Sequence, residues 1–355
     1  MRVAIVGPVF PYRAGIAYCT TRLAQELNAD VVSFSRQFPR RFYPGGDDID
    51  PTLPRAEAEF VLDVVNPLTW LRGGMRLRRY DAVVFVWWIW VWALPYRLMM
   101  AMLPRRTRVI VQCHNVGDKE PAWWKRWLTN RVLRRADILV VHAQAEAREA
   151  WKRSRGRRTV TTFLPVHELG GPIPSREDAR AMLNVTARNV ALCFGHVRPF
   201  KALDVVLRAW RELKTDVLLL VAGEAWWNSA EEYRKLAEGL TNVRFDFRFI
   251  PDAEIATWFA ACDVVLAPYR IEAQSGVALT AFHFSRPVIA STVGGLPEVT
   301  DLLVPPDDPH ALAKAIDDFF ARDDRATMEQ QAAEAARRYS WEEYGRLFAR
   351  LVTHG

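Results

Sequence analysis

Four short stretches of this 355-residue chain carry side chains that could hold an anion and answer charge developing on it. In "CFGHVRPFKALD" (193–204), Arg198 and Lys201 stand three apart between an apolar run and a helical pattern. Arginine offers a planar fork and lysine a point charge, a pairing suited to the oxygens of a diphosphate. Gly223 and Glu224 end the next apolar run and are expected at the same edge. In "RIEAQSGVALTAFHFSRPVIAS" (270–291), Ser275, Gly276 and Val277 open a helix expected over 275–285. Its unpaired N–H groups would face anionic or hydroxyl oxygens. The continuation "STVGGLPEVTD" (291–301) sets Gly294 and Gly295 before Glu298. In "GPVFPYRAGIAYCT" (7–20), Gly15 would let the backbone approach a ligand, with a helix beginning near Ile16. This loop is neither GxGxxG nor a Walker loop, so the usual dinucleotide and ATP readings fail. In "VQCHNVGD" (111–118), His114 at a strand end could donate to a hydroxyl or titrate. Each stretch has a bland counterpart: surface charge, a capped helix, a tight turn, a structural histidine. No second Cys–His pair or aspartate cluster points to a metal.

The elements that would position these residues alternate. Runs rich in Val and Ile occur at 2–7, 30–34, 82–88, 108–112 and 137–141, with helical patterns such as 16–28 and 121–135 between them. A second series occupies 189–195, 216–222, 242–247, 263–267 and 287–291. Buried strands alternating with helices mean parallel sheets covered on both faces. Two doubly wound domains are expected, 1–165 and 166–339, with a break in the Gly- and Pro-rich "FLPVHELGGPIPSRED" (163–178). The last residues, about 340–355, are expected to pack back on the first domain. Ligands of such sheets bind beyond the carboxyl ends of the strands, so a cleft between the two domains is expected.

Half of the residues are hydrophobic and a quarter charged, the balance of a globular protein. Cys19, Cys113, Cys193 and Cys262 lie far apart, which favours a reducing compartment over a disulfide framework. The opening MRVAIVG reads as a strand rather than a signal peptide, so a cytoplasmic protein is expected. "VVFVWWIWVWALPYRLMMAMLP" (83–104) is apolar enough to suggest a membrane span. Pro95 and Arg97 interrupt it, and it reads better as a buried strand running into a helix.

The net charge of +7 is uneven. Residues 1–165 hold 27 Lys and Arg against 14 Asp and Glu, and residues 166–355 hold 21 against 27. A basic first half implies an anionic partner. Nucleic acid is disfavoured, because the arginines are scattered and no nucleic-acid module is present. The segment "PAWWKRWLTNRVLRR" (121–135) starts with Pro at an expected first helical position. It interleaves Trp with cations and gives an apolar stripe of Trp124, Trp127, Leu128 and Val132. Such a stripe fits a core face, or a helix lying on the inner face of a membrane as a peripheral contact.

Taken in order, "PYRAGIAYCT", "CHNVGD", "GHVRPFKALDVVLRAW", "LLLVAGE", "ACDVVLAPY" and "QSGVALTAFHFSRPVIASTVGGLPE" resemble retaining glycosyltransferases of the GT-B fold, in the family-four (glycosyl transferases group 1) class. The resemblance covers nearly the whole chain. It implies two Rossmann-like domains facing across a cleft, the first on the acceptor side and the second holding a nucleotide sugar. It implies transfer of a hexose from a nucleotide-diphosphate sugar to a glycan, lipid-linked or small-molecule acceptor, in polysaccharide biosynthesis and without a metal or other cofactor. His114 and Glu272 would be catalytic. Gly15, Arg198, Lys201, Ser275, Gly276 and Val277 would hold the diphosphate, and Thr280, Glu224 and Gly223 the ribose and nucleotide. The family carries a second glutamate eight positions after the first, and here that position is Thr280. Ala14 replaces one of two glycines in the first loop, and His196 stands where an arginine often follows the glycine. These departures keep open an alternative: a weak or inactive relative that binds nucleotide sugars or regulates.

Overall fold

A computed structural model describes the chain except for residues 14, 39–47, 118–121, 169–171, 226–229, 272–273 and 355. The chain divides into two compact units, Met1–Pro165 with Ser340–Gly355, and Val166–Tyr339.

Unit 1 is built on seven strands: β1 (Val3–Val6), β2 (Asp30–Arg36), β3 (Glu59–Asp63), β4 (Ala82–Trp87), β5 (Arg108–Cys113), β6 (Ile138–Val141) and β7 (Arg158–Thr161). They lie in the order β3-β2-β1-β4-β5-β6-β7, and all pairs are parallel. Successive residues of a strand point to opposite faces, and β4 shows the consequence. Val83 and Phe85 join a core that includes Leu77, Tyr96, Met99, Val132 and Ala150. These come from α2 (Pro67–Leu77), α3 (Ala93–Met102), α4 (Trp123–Leu133) and α5 (Gln144–Ser154), with α1 (Gly15–Leu27) preceding them in the chain. Val84 and Val86 enter a second core with Tyr18 and Leu23 of α1 and with Trp341, Tyr344 and Phe348 of the C-terminal helix (Trp341–His354). Thus α2–α5 cover one face of the sheet, and α1 with the C-terminal helix covers the other.

Unit 2 repeats the plan with β8 (Val190–Phe194), β9 (Leu218–Ala222), β10 (Val243–Asp246), β11 (Val264–Ala267), β12 (Val288–Ser291) and β13 (Leu303–Val304). The order is β10-β9-β8-β11-β12-β13, again all parallel. Its helices are α6 (Arg176–Met182), α7 (Leu203–Trp210), α8 (Ala230–Leu236), α9 (Asp252–Ala261), α10 (Gly276–His283), α11 (Pro309–Ala321) and α12 (Arg325–Arg338). Helices α7, α8 and α11 bury Val206, Tyr233 and Leu312 against one face, while α6 packs on α9 and α12 on α10.

Several expectations are revised. The stretch 83–104 is β4, a 3-10 turn at Trp90–Trp92 and α3, and no helix among the described residues is long and apolar enough to cross a membrane. Strands β3, β7 and β13 escape a search for apolar runs because each pairs with only one neighbour at the end of its sheet. Edge strands such as "RTVT" are half solvated and need no continuous apolar character. Helix α4 begins at Trp123, and Pro121 lies outside the described residues. Of its expected stripe, Val132 is buried and Leu128 packs on the core, but Trp124 and Trp127 are exposed. Helix α10 is two turns rather than three. It stops at Phe284, and Ser285 turns into the left-handed region at φ 55°.

Candidate functional site

In each sheet the strand order reverses once, between β1 and β4 in unit 1 and between β8 and β11 in unit 2. Ligands of doubly wound sheets bind outside the carboxyl ends at that reversal. In unit 2 the loops leaving β8 and β11 there contain most of the expected binding residues.

After β8, Gly195 adopts φ +88° and the chain makes a 3-10 turn at Pro199–Lys201. Lys201 Nζ donates to Tyr269 Oη at 3.2 Å and lies 4.7 Å from the centre of that ring. Tyr269 follows β11, so this contact spans the reversal point. Arg270 braces the same junction. Its guanidinium donates to both carboxylate oxygens of Asp204, at 2.9 and 2.8 Å, and to the carbonyl of Pro199 at 2.6 Å. Its backbone N–H donates to the Phe200 carbonyl at 2.8 Å. The bidentate pair fixes the turn that presents Lys201. Arg198 caps that turn, with its guanidinium 5.9 Å from the centre of the Phe200 ring.

A Cβ built on Gly195 would lie 3.6 Å from both Lys201 Nζ and Val277 Cγ2. The ammonium, the Gly195 loop and the first turn of α10 therefore meet around one point. Ser275 caps α10 by accepting from the Ala278 N–H at 3.2 Å. Gly276 is exposed, and among the described residues a side chain there would meet nothing within 4 Å, so they leave the helix end open. Cys193, Gly195, His196, Lys201 and Tyr269 line one pocket at this edge.

Gly223 is a position that glycine alone satisfies. Its φ is +147°, and a Cβ would sit 2.2 Å from the carbonyl oxygen of Gly195. This close approach lets the loops after β8 and β9 run together, with the Val197 N–H donating to the Glu224 carbonyl at 2.9 Å. The Glu224 carboxylate is 3.7 Å from His196 Nε2. Thr280 is placed otherwise than expected for a ribose ligand. It is 5% exposed, and its hydroxyl donates to the Gly276 carbonyl one turn earlier, at 2.8 Å. Glu272 and Ala14 lie outside the described residues.

In unit 1, Gly15 is the first residue of α1, exposed, and among the described residues nothing lies within 4 Å of where a side chain would be. His114 follows β5, anchored by its N–H to the Trp87 carbonyl at 2.8 Å. Its Nε2 is buried and makes no hydrogen bond among the described residues, and burial pushes its pKa down to about 4. The His142 ring is 5.2 Å away, held by a 2.8 Å hydrogen bond between its Nε2 and Tyr344 Oη. Gln112 Nε2 donates to the same hydroxyl at 2.8 Å. Burial, with the neighbouring His114, holds His142 well below the usual histidine range. Both imidazoles are neutral at pH 7, so each ring has one nitrogen that can donate and one that can accept.

Sequence reasoning missed Tyr269, Arg270 and Asp204. Tyr269 and Arg270 directly follow the apolar run at 263–267. That is the position in the pattern by which Arg198 and Lys201 were recognised, so the signal was present.

Residues 188–322 match the family described as Glycosyl transferases group 1. A D-inositol 3-phosphate glycosyltransferase of Saccharomonospora viridis is 35% identical over 232 residues, which span 59% of this chain and 54% of that protein. The chain therefore covers about half the length of that relative. One so named from Corynebacterium diphtheriae is 27% identical, over 89% of this chain and 86% of the relative. The solved structure of Anabaena HepE in complex with UDP and glucose covers 99% of this chain and 100% of its own, at a TM-score of 0.78 and 15% identity. At that identity it speaks for the fold, two Rossmann-like α/β domains. Residues 188–322 are thus similar to the glycosyl transferases group 1 family, and that matched segment contains every residue described above around the reversal point of unit 2.

Proposed function

We propose that this protein is a retaining glycosyltransferase that moves a hexose from a nucleotide-diphosphate sugar to a hydroxyl acceptor, without a metal ion. The observation that carries the reading is the meeting of Lys201 Nζ, Gly195 and the first turn of α10 at the reversal point of the unit 2 sheet. In such a transfer the bond from the anomeric carbon to the diphosphate oxygen breaks. The acceptor oxygen bonds the same carbon from the same face, and its proton passes to the departing phosphate. Negative charge grows on the diphosphate as it leaves. Lys201, Arg198 and the open N–H groups of α10 are the groups to meet it, by electrostatic stabilisation in place before the charge develops. Glu224 takes the ribose, and Gly223 keeps the loop around it close. Neutral His114 holds a hydroxyl of the sugar, and the resemblance assigns Glu272, outside the described residues, to the transferred hexose.

The named activity of the curated relatives makes a cyclic polyol phosphate the first acceptor to try. The nucleotide and sugar bound by HepE make UDP-glucose the first donor. A glycan or lipid-linked acceptor follows these. The second reading is a binding or regulatory module, and the committed hydroxyl of Thr280 favours it, since it removes one expected donor contact. One experiment separates the two. The protein is incubated with UDP- and GDP-sugars, with and without inositol 3-phosphate, while nucleoside diphosphate release and thermal shift are followed. Transfer with retained configuration at the anomeric carbon supports the enzyme. A donor at a hundred times its Kd stabilises by about 2.7 kcal/mol, so a thermal shift without release would establish the binding module instead.

A further inference from the structure

The two faces of the unit 1 sheet differ in charge and in exposed apolar surface. On one face, α1 balances Arg22 with Glu26, and the C-terminal helix balances Glu342 and Glu343 with Arg346 and Arg350. On the other, α2, α3 and α4 carry Arg72, Arg76, Arg97, Lys125, Arg126 and Arg131 and no acidic residue, and α5 sets Glu146 and Glu149 against Arg148, Lys152 and Arg153. Arg134 and Arg135 follow directly. Among the described residues every exposed tryptophan is on this face, in α4 or α5: Trp123 is 82% exposed, Trp151 60% and Trp127 50%. Leu94 of the adjoining α3 is 61% exposed. A lone exposed apolar residue needs no explanation, but large aromatics gathered on one helix layer mark an interaction surface.

The cations and rings are interleaved. The Arg131 guanidinium lies 4.7 Å from the centre of the Trp127 ring, and Lys125 Nζ lies 5.6 and 5.8 Å from those of Trp90 and Trp124. Arg97 sits among its own kind: burial, then Arg135 and Arg131, hold its guanidinium below the usual arginine range. A surface that crowds positive charge around exposed indoles is matched by a partner that is anionic at its boundary and apolar just beneath. Tryptophan has an apolar body and one polar N–H, which suits that boundary.

We propose that the α2–α5 face of unit 1 docks on an anionic lipid bilayer, with Trp123 and Trp127 entering the headgroup region and the arginines of α2–α4 against lipid phosphates. The attraction belongs to the surface rather than to one pocket, so it is graded with anionic lipid and screened by salt.

The test uses the full chain with vesicles of phosphatidylcholine alone or mixed with phosphatidylglycerol, read by co-sedimentation and by the emission wavelength of tryptophan. The wild type is expected to bind the mixed vesicles, with a blue shift, to bind phosphatidylcholine at least tenfold more weakly, and to be released by high salt. Arg126→Glu with Arg131→Glu is expected to lower binding at least tenfold. Trp123→Ser with Trp127→Ser is expected to remove most of the blue shift. Both double variants change exposed side chains, and an unchanged near-UV spectrum establishes that they fold. No binding to mixed vesicles overturns the proposal, as does equal binding to the two vesicle types. Wild-type binding by either double variant also overturns it. So does a surface that self-associates, or that retains RNA or heparin, while leaving vesicles alone.

Discussion

The two sheets are wound alike, each reversing its strand order once, yet their carboxyl edges are furnished with opposite chemistry. Unit 2 places Lys201, Arg198 and an open helix N-terminus there, a set with positive charge to offer. The described part of unit 1 places a buried neutral pair, His114 and His142, backed by Gln112 and Tyr344. A common topology thus fixes where a ligand meets the fold, while the loop residues decide whether that ligand is an anion or an array of hydroxyls.

The sharpest way to break the unit 2 edge is Gly223→Ala. The added methyl would occupy the space of the Gly195 carbonyl at a backbone conformation that alanine resists. Strain of this kind together with overpacking amounts to roughly 3 kcal/mol or more. A denaturant melt is expected to show that loss, and donor-induced stabilisation is expected to vanish with it. An alanine variant of wild-type stability would mean that the two loops separate freely.

Lys201→Ala tests charge without disturbing the backbone. Turnover at saturating donor is expected to fall at least tenfold, on the order of 1.4 kcal/mol or more, because the ammonium serves the departing diphosphate more than the bound one. Unchanged turnover in this variant and in Arg198→Ala would remove the cationic half of the comparison.

Unit 1 should betray its neutral histidines through pH. His114 is held at about 4 by burial, below an unfolded value of 6.5. The folded state therefore binds fewer protons than the unfolded chain, and stability is lost as pH falls from 6.5 toward 4. At pH 5 that one group accounts for roughly 1–2 kcal/mol. His142 acts in the same direction, as does His167 of unit 2, which burial also holds at about 4. The share of His114 is read from His114→Asn, whose Tm is expected to fall less steeply between pH 7 and pH 5. Parallel curves for the two proteins would show that His114 titrates normally.

Much of this fold was legible because buried parallel strands announce themselves. "AVVFVW" and "VVLA" have no polar side to hide. Of the edge strands only β10 was legible: "EFVLD" and "RTVT" pair on one side only and carry residues that a loop also uses. In the site, Arg198 and Lys201 could be placed because charge after an apolar run is conspicuous. Tyr269 was overlooked, since its part depends on a hydroxyl meeting Lys201 across 68 positions of sequence. The tryptophans of α4 misled in a different way. Their spacing describes a stripe, but spacing cannot say whether the stripe faces a core or a solvent boundary.

His114→Ala isolates the unit 1 contribution to transfer. Loss of one neutral hydrogen bond to a hydroxyl is worth about 0.5–1.5 kcal/mol, so transfer is expected to drop by up to about tenfold. Nucleoside diphosphate affinity, read by thermal shift, is expected to stay within about twofold, less than one ordinary hydrogen bond. If affinity fell as far as transfer did, the division of labour between the edges would be wrong.

The smallest expected effect is at Thr280, where the family pattern and the structure part company. A ribose contact through this hydroxyl would make Thr280→Val weaken the donor by about 0.5–1.5 kcal/mol. The geometry argues for less. The hydroxyl proton is already given to the Gly276 carbonyl at 2.8 Å, and the side chain is 5% exposed. A hydroxyl bonded one turn back contributes little to its helix, and sometimes costs it. Valine keeps the shape of threonine, so donor affinity is expected to change by less than about twofold, while stability moves by only a few tenths of a kcal/mol, within the range of one exchanged hydrogen bond. A 2′,3′-dideoxy donor gives the complementary reading. It is expected to lose the same affinity against wild type and Thr280→Val, but to lose less against Glu224→Gln, where the proposed ribose carboxylate has been neutralised. A loss confined to proteins with the threonine hydroxyl would return the ribose to Thr280. It would also require the first turn of α10 to release that proton when the donor binds.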